Sequence, residues 1–286
     1  MSAPPSIPFR PGWRHRLVAG YYRAREHPAR LRLLHWVKQL LFVDRVRVEV
    51  FPGVVMELDD ADYVNRKILF DGSYELATLR LFDRLLSSAR GFIDIGAHHG
   101  QYTLRAARIL GPRHGRVIAF EPTPSNAARL LHNARLSALT NFDLYCFALS
   151  DAGGVLRMIQ PFANNTGGAH LAAEGAADDD SAVRLHVAVR PFADVAHHIP
   201  EAALDLVKVD VEGHEKRVLS ALFASPVRKP RHLILEYFTE FFDYGAPEGL
   251  PAWLAAQGYE VHTVEGEPYR TGDPLPDNNL WAQYRE

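Results

Sequence analysis

The sequence predicts an α/β protein built on a doubly wound, mainly parallel sheet of seven strands, with an N-terminal extension of helices and a hairpin. Three observations predict it. Short apolar strands alternate with helical patterns from residue 92 to residue 236, the order that a parallel sheet with crossover helices requires. A glycine-punctuated turn, Asp94-Ile95-Gly96-Ala97-His98-His99-Gly100, runs straight out of the first of these strands. Two more strand-like runs follow residue 258 and suit an antiparallel end to the sheet.

The 286 residues allow one large domain, or one core with an extension. Three parts are expected: a basic helical extension over 1–48, a hairpin and helices capping the core over 49–90, and the core itself over 91–286. A composition of 47% hydrophobic and 23% charged residues is that of a soluble globular chain. The single cysteine, Cys146, excludes an internal disulfide, and its apolar surroundings predict a small buried core residue. No CxxC or HExxH spacing occurs, so a structural zinc site or a zinc protease gets no support.

Charge is unevenly spread. Residues 1–50 carry ten Lys/Arg against three acids, +7, which leaves -9 for the rest of a chain of net charge -2. A basic arm of this kind suits an anionic membrane surface or nucleic acid. No apolar run approaches the roughly 20 residues that span a bilayer. The start, Met1-Ser2-Ala3-Pro4-Pro5, lacks the charged-then-apolar order of a signal peptide. The expectation is a cytoplasmic protein, with a peripheral contact at the inner face of the membrane through basic residues between 10 and 47.

In chain order, residues 1–28 show no sustained period, whereas 29–43 fit one helical face. That helix either docks on the domain or lies on lipid. Strict alternation over 45–50 and 54–58 around Phe51-Pro52-Gly53 predicts a hairpin. Asp59 to Asp62 start a helix, and Leu76, Leu79, Phe82 and Leu86 mark another that leads into the strand at 92–95. A helix over 101–110 stops at Gly111-Pro112, and Val117 to Phe120 form the second strand, ending in Glu121. Thr123 and Pro124 supply an N-cap and a first helical position. Residues 142–149 read as a third strand. Strands at 155–159 and 183–189 flank a Gly/Ala/Asp-rich loop of the kind that serves function. Residues 204–211 form the fourth strand, followed by a helix through Leu222, and 232–235 form the fifth. A helix at 250–257 precedes the closing strands at 259–264 and 279–284. The sequon Asn164-Asn165-Thr166 is incidental without a secretory signal.

Two clusters could carry chemistry. A dinucleotide site would have glycine where Asp94 stands; here the pattern is Asp94-x-Gly96-x-x-x-Gly100. An acid at a strand tip can meet a cationic ligand group, and the glycines let backbone approach closely. Glu121, at the next strand tip, is placed to accept from both hydroxyls of a ribose. The second cluster is the run from Asp205 to Glu215. Lys208 and Asp210 share a strand side by the two-residue period, and Asp210 and Glu212 fall at the C-terminal tip, where open α/β sheets bind ligands. Glu236 ends the fifth strand in a corresponding place.

The joint set of Asp-Ile-Gly-Ala-x-x-Gly, Phe-Glu-Pro, Ala-Leu-Ser-Asp at 148–151 and Leu-Val-Lys-Val-Asp-Val-Glu-Gly-His-Glu resembles the FkbM family of S-adenosylmethionine-dependent methyltransferases. Gly72-Ser73-Tyr74-Glu75 and Leu235-Glu236 match the same pattern, and the resemblance runs from about residue 50 to the end. It implies a Rossmann-like class I fold and O-methylation of a sugar, glycolipid or polyketide hydroxyl. The cofactor site it implies comprises Asp94, Gly96 and Gly100, Glu121 for the ribose, Ala148, Leu149 and Ser150 near the adenine, and Tyr74. Lys208, Asp210 and Glu212 should then face the reacting methyl, with Glu236 and His98 toward the acceptor. The sequence departs from the family at His98, where Asn is usual, and at His99, where an aliphatic residue is usual.

A hydroxyl acceptor must lose its proton as the new bond forms. Asp210 is the expected base, oriented by Glu212 and Lys208. Alternatively Asp210, Glu212 and Glu236 share a divalent metal that acidifies the hydroxyl. The competing classes are an NAD-dependent oxidoreductase, disfavoured by the missing first glycine, and a non-catalytic protein that binds an adenosyl ligand. Nucleic acid is not an expected substrate, because the core is acidic. The aromatics over 236–244 could floor a sugar or wall a macrocycle.

Overall fold

Burial on both faces explains the apolar runs. All five residues of Gly91–Ile95 and all four of Leu206–Val209 are buried, as strands covered by helices on both sides must be. The structure is a computed structural model that describes residues 12–23, 30–41, 44–161, 170–171, 182–237 and 249–285.

The chain opens with helices α1 (Trp13–Tyr22) and α2 (Arg30–Leu41), then the antiparallel hairpin β1 (Val46–Phe51) and β2 (Val54–Leu58). Helix α3 (Tyr63–Asp71) begins at Asp62, whose carboxylate caps the Asn65 N–H, and ends at Gly72 in a left-handed turn. Helix α4 (Leu76–Leu86) leads into β3 (Gly91–Ile95). The alternation continues through α5 (Gln101–Leu110), β4 (Arg116–Phe120), α6 (Pro124–Leu136) and β5 (Phe142–Tyr145). Thr123 and Pro124 occupy the expected positions at the start of α6, but the threonine side chain makes no capping bond. Next come β6 (Ala148–Leu149), β7 (Gly154–Pro161), β8 (His170–Leu171) and β9 (Ala182–Arg190). The chain closes with β10 (Leu206–Val209), α7 (Glu215–Ala224), β11 (His232–Glu236), α8 (Gly249–Ala256), β12 (Tyr259–Thr263) and β13 (Asn279–Tyr284).

The main sheet has the order β12-β13-β11-β10-β3-β4-β5. Its five strands from β11 to β5 are parallel, and β13 is antiparallel to both β11 and β12, so the sheet is mixed with the expected antiparallel end. The chain runs outward from β3 to β5 and returns at β10, beside β3. This reversal leaves a crevice at the carboxyl ends of β3 and β10, where ligands of doubly wound sheets bind. Edge-to-face contacts of Phe82 with Phe92 (4.9 Å) and Tyr102 (5.0 Å) lock α4 and α5 onto β3, each adding about 0.5–1.5 kcal/mol beyond burial.

Three expectations need correction. Residues 142–149 are not one strand: β5 ends at Tyr145, and β6 leaves to pair in parallel with β9 in a second sheet of order β6-β9-β7-β8. The break falls at Cys146, which is exposed rather than buried, while Phe147 turns in against Phe120 and Tyr145. The fourth strand begins at Leu206, because Pro200 starts a 3-10 turn over Glu201–Asp205, and it ends at Val209. The sequon, the aromatics over 238–244, and the loop between β7 and β9 apart from β8 lie outside the described residues. No helix among the described residues is long and apolar enough to cross a membrane.

Candidate active site

A cavity of about 400 Å3 opens at the carboxyl ends of β3, β4, β10 and β11, within the size range of small-molecule sites. The α3 segment contributes Tyr63, Asn65 and Ile68 to its wall, and the second sheet contributes Met158 and Leu171. Of the residues singled out from the sequence, Tyr74, Asp94, Gly96, His98, Glu121, Ala148, Leu149, Lys208, Asp210, Glu212 and Glu236 line this one space. Gly100 and Ser150 stand outside the lining. Gly100 begins α5 in a left-handed conformation, and the Ser150 hydroxyl lies 2.8 Å from His214 Nε2.

Close backbone packing dictates the glycine turn. Gly96 has φ of 91°, and a Cβ there would sit 1.8 Å from the carbonyl oxygen of Asp210. That contact arises because the Asp210 N–H donates to Ile95 O at 3.0 Å, extending the β3–β10 ladder by one bond past the last strand residue. The N–H groups of Gly96 and Ala97 both turn sideways to Phe120 O on β4. Glu121 follows, with one carboxylate oxygen accepting from His98 N (2.7 Å) and the other from Thr123 N (2.8 Å). The Thr123 and Asn126 side chains also bond to this carboxylate. Burial pushes this carboxyl up to about 7, against the backbone hydrogen bonds that favour its ionised form.

Lys208 is the electrostatic centre. It is 2% exposed, pairs across the ladder with Asp94, and places Nζ 2.5 Å from Asp210 and 4.7 Å from the centroid of the Tyr102 ring. Burial would discharge it, but the Asp210, Glu75 and Asp94 carboxylates outweigh burial and keep it charged. Asp94 accepts from Thr103 Oγ1 at 2.5 Å, and burial raises its pKa to about 6. Burial works in the same direction on Asp210, but Lys208 and a hydrogen bond with Glu236 override it and hold that carboxyl low. Ligand oxygens of Asp210, Glu212 and Glu236 lie within 4.8 Å of one another. Crowding follows: burial, then Asp210, drives Glu212 to about 8, and burial with both neighbours pushes Glu236 up to about 12. Near pH 7 the trio therefore holds one firmly ionised carboxylate beside two carboxyls that retain protons.

The histidines are placed by the turn. His98 takes φ of 48° and stacks on His99, with ring centroids 3.7 Å apart. Burial depresses the pKa of both. With Asp62 they form a second cluster whose donor atoms lie within 4.8 Å, but its donors are already engaged. Asp62 caps α3, and His99 bonds to Asn126 and lies 3.3 Å from Asn65 Oδ1.

Two carboxylates that shape the site carried no assigned role in the sequence reading. Glu75, in a left-handed conformation at the start of α4, enters the cavity and joins Tyr102 OH (2.6 Å) to Asn279 Nδ2 (3.0 Å). Its presence in the Gly72–Glu75 run was the available signal. Glu215 accepts from the Val211 and Gly213 N–H groups and shapes the loop that carries Glu212, and its place in Glu-Gly-His-Glu gave no hint of that.

A mainly parallel, doubly wound sheet with a ligand crevice at its reversal point, an acid on each of the tips flanking the glycine turn, and a lysine-held carboxylate group together make a Rossmann-like fold with a candidate small-molecule site. The sequence model of the methyltransferase FkbM domain matches residues 94–261. The chain belongs to the FkbM methyltransferase family. No curated protein matches it.

Among solved structures, the chain is similar to the FkbM methyltransferase of Methylobacillus flagellatus KT, at 16% identity over 95% of this chain and 58% of that one, with a TM-score of 0.38. It therefore spans a little over half the length of that relative. It is also similar to M. jannaschii TYW2 in complex with AdoMet, at 15% identity over 84% and 83% of the two chains and a TM-score of 0.39. The O-methyltransferase TomG of Streptomyces achromogenes, in complex with SAM, matches at 14% identity over 73% and 79%, also with a TM-score of 0.39.

Proposed function

We propose that the chain transfers a methyl group from S-adenosylmethionine to a hydroxyl of a sugar, glycolipid or polyketide-type acceptor. The observation that carries this reading is that Gly96, Glu121 and the Lys208-Asp210-Glu212 group line a single cavity. The residues present fit the cofactor. A side chain at 96 would fill the cradle against the 210 backbone, and Glu121, its carboxylate fixed by the His98 and Thr123 N–H groups, lines the same cavity at the next strand tip, where a ribose diol would lie. Asn65 Nδ2, Gln101 Oε1 and Glu236 Oε2, all on lining residues, are buried without a hydrogen-bond partner among the described residues, and such atoms call for a polar ligand or water.

When bound, S-adenosylmethionine supplies an electrophilic methyl on a sulfonium. The chain's own part is alignment, worth on the order of 7–11 kcal/mol in well-oriented reactions, and acceptance of the hydroxyl proton. The sequence pointed to Asp210 for that step. The electrostatics favour Glu212 instead. Asp210 is stabilised as an anion by Lys208 and Glu236 and so is a weak base, whereas Glu212, at about 8, is matched to a general base working near neutrality. Asp210 then orients the acceptor. A divalent ion shared by Asp210, Glu212 and Glu236 is the second reading, favoured by their mutual 4.8 Å limit and by the partnerless Glu236 Oε2.

Separate titrations of the purified protein with S-adenosylhomocysteine and with NAD test the cofactor. Saturable binding of the first alone is expected; binding of NAD alone overturns the reading, and binding of neither makes this a non-catalytic chain. Methyl transfer surviving exhaustive chelation removes the metal route. Nucleic acid is not proposed as the acceptor, because the cavity wall is acidic.

A further inference from the structure

The two N-terminal helices each have an inner and an outer face. On the inner side, Val18 and Tyr22 of α1 and Leu34 of α2 are fully or nearly fully buried. Tyr22 OH donates to Asp60 at 2.5 Å, Lys38 Nζ pairs with the same carboxylate at 2.6 Å, and the Tyr22 ring meets Phe70 edge-on at 5.0 Å. The helices are thus fixed to the α3 end of the molecule by both apolar packing and a partly buried ion pair.

The outer side is the unusual one. Trp13 and Leu17, spaced i,i+4, and Leu33, Trp36 and Leu40, spaced i,i+3,i+7, form one stripe on each helix and are 43–60% exposed. These are five of the nine large apolar side chains exposed among the described residues, gathered on two short helices. Neither helix contains an acid. Arg14, Arg16 and Arg23 are exposed beside the α1 stripe, and the Arg14 guanidinium lies 5.5 Å from the Trp13 ring centroid. Helix α2 adds Arg30 and Arg32 to the sequence of the arm.

We propose that this outer face of α1 and α2 docks on an anionic lipid surface. The stripes supply tryptophan and leucine, the residues that interfacial helices insert at the headgroup boundary, and the flanking arginines supply attraction to anionic headgroups. Charge decides against the other apolar occupant, a second copy of the chain, because pairing the same face would bring the same arginines together. The inference is independent of the methyl-transfer reading: the helices lie outside the matched segment 94–261.

The test is co-sedimentation of the full chain with vesicles of phosphatidylcholine containing phosphatidylglycerol, against vesicles of phosphatidylcholine alone. Binding to the anionic vesicles, weakened by high salt, with a blue shift of tryptophan emission, is expected. Trp36→Glu with Leu40→Glu should lower partitioning at least about tenfold, and Arg14→Gln and Arg16→Gln about fivefold each. All four side chains are exposed, so the circular dichroism and S-adenosylhomocysteine titration of these variants serve as checks that the core is intact. Failure of the wild-type chain to bind anionic vesicles, or equal binding by the variants, overturns the proposal. So does a concentration-dependent dimer in lipid-free buffer that Trp36→Glu dissolves.

Discussion

The ammonium of Lys208 sits 2.5 Å from the Asp210 carboxylate, at the point where β10 ends. This pair is the junction between fold and chemistry. Lys208 is held inside the sheet with almost no exposure, while the Asp210 side chain is 24% exposed and faces the cavity. Removing the cation would leave Asp94, Glu75 and Asp210 facing one another without compensation. Lys208→Met should therefore destabilise the protein by about 3–5 kcal/mol, the range for breaking one side of a buried pair, read as a drop in the urea midpoint. Lys208→Arg should not restore it, because the planar guanidinium needs room that a site against the Tyr102 ring lacks.

Gly96 and Gly266 both have left-handed φ, 91° and 99°, but only Gly96 has backbone in the place of a Cβ. Gly266→Ala should cost about 1 kcal/mol of backbone strain alone. Gly96→Ala adds overpacking to that strain, for about 2–5 kcal/mol in total, and should also abolish S-adenosylhomocysteine binding. Thermal denaturation and calorimetric titration of the two variants side by side check this.

Stability should depend on pH in an unusual direction. Asp94, Glu121 and Glu212 stand at about 6, 7 and 8 in the folded chain, above the usual range of unfolded carboxyls. Each of these three carboxyls therefore keeps its proton in the folded chain over a window above about pH 4 in which the unfolded chain has lost it. His98, His99, His214 and His232, depressed by burial, instead bind fewer protons than unfolded imidazoles below about pH 6.5. The stability the carboxyls contribute is fully present below their unfolded pKa and is lost as pH rises through the folded values. Above the histidine range the carboxyls act alone, so the urea midpoint of the ligand-free protein should fall between about pH 7 and pH 9, and Glu212→Gln should flatten that slope.

If Glu212 is the base, kcat should rise with pH and level off above about 8, since only its ionised form accepts a proton. Glu212→Gln should lower kcat by about 10²–10⁴-fold and remove this limb. Asp210→Asn should raise KM and lower kcat while leaving a pH-dependent limb. A rate independent of pH from about 6 to 9 would return the role of base to Asp210, whose carboxyl stays low.

Much of this arrangement was legible in the sequence, because it rests on local signals. The glycine turn, the strand-tip acid Glu121 and the 205–215 run each follow from residue order and a period of two. Other parts depend on contacts distant in the chain. Nothing local near residue 146 reveals that β6 will leave β5 to pair with β9, some 40 residues further on. Cys146 was misjudged for the same reason: its apolar neighbours suggest a core, but the turn between two sheets turns it outward. The order of basicity between Asp210 and Glu212 was equally hidden, since it depends on which carboxylate Lys208 and Glu236 reach in three dimensions.

Glu75 bonds to Asn279, 204 residues away, and Thr78 N bonds to Asp277, 199 residues away. During synthesis the central sheet can begin to form while these partners are still missing, but one wall of the cavity must wait for the segment that leads into β13. A nascent chain stalled before residue 277 would carry the glycine turn, Glu121 and Lys208 yet leave the buried Glu75 carboxylate without its amide donor. The segment at 277–279 thus acts as a clasp on the site from behind, and a nick just before it should silence the cavity without touching the glycine turn.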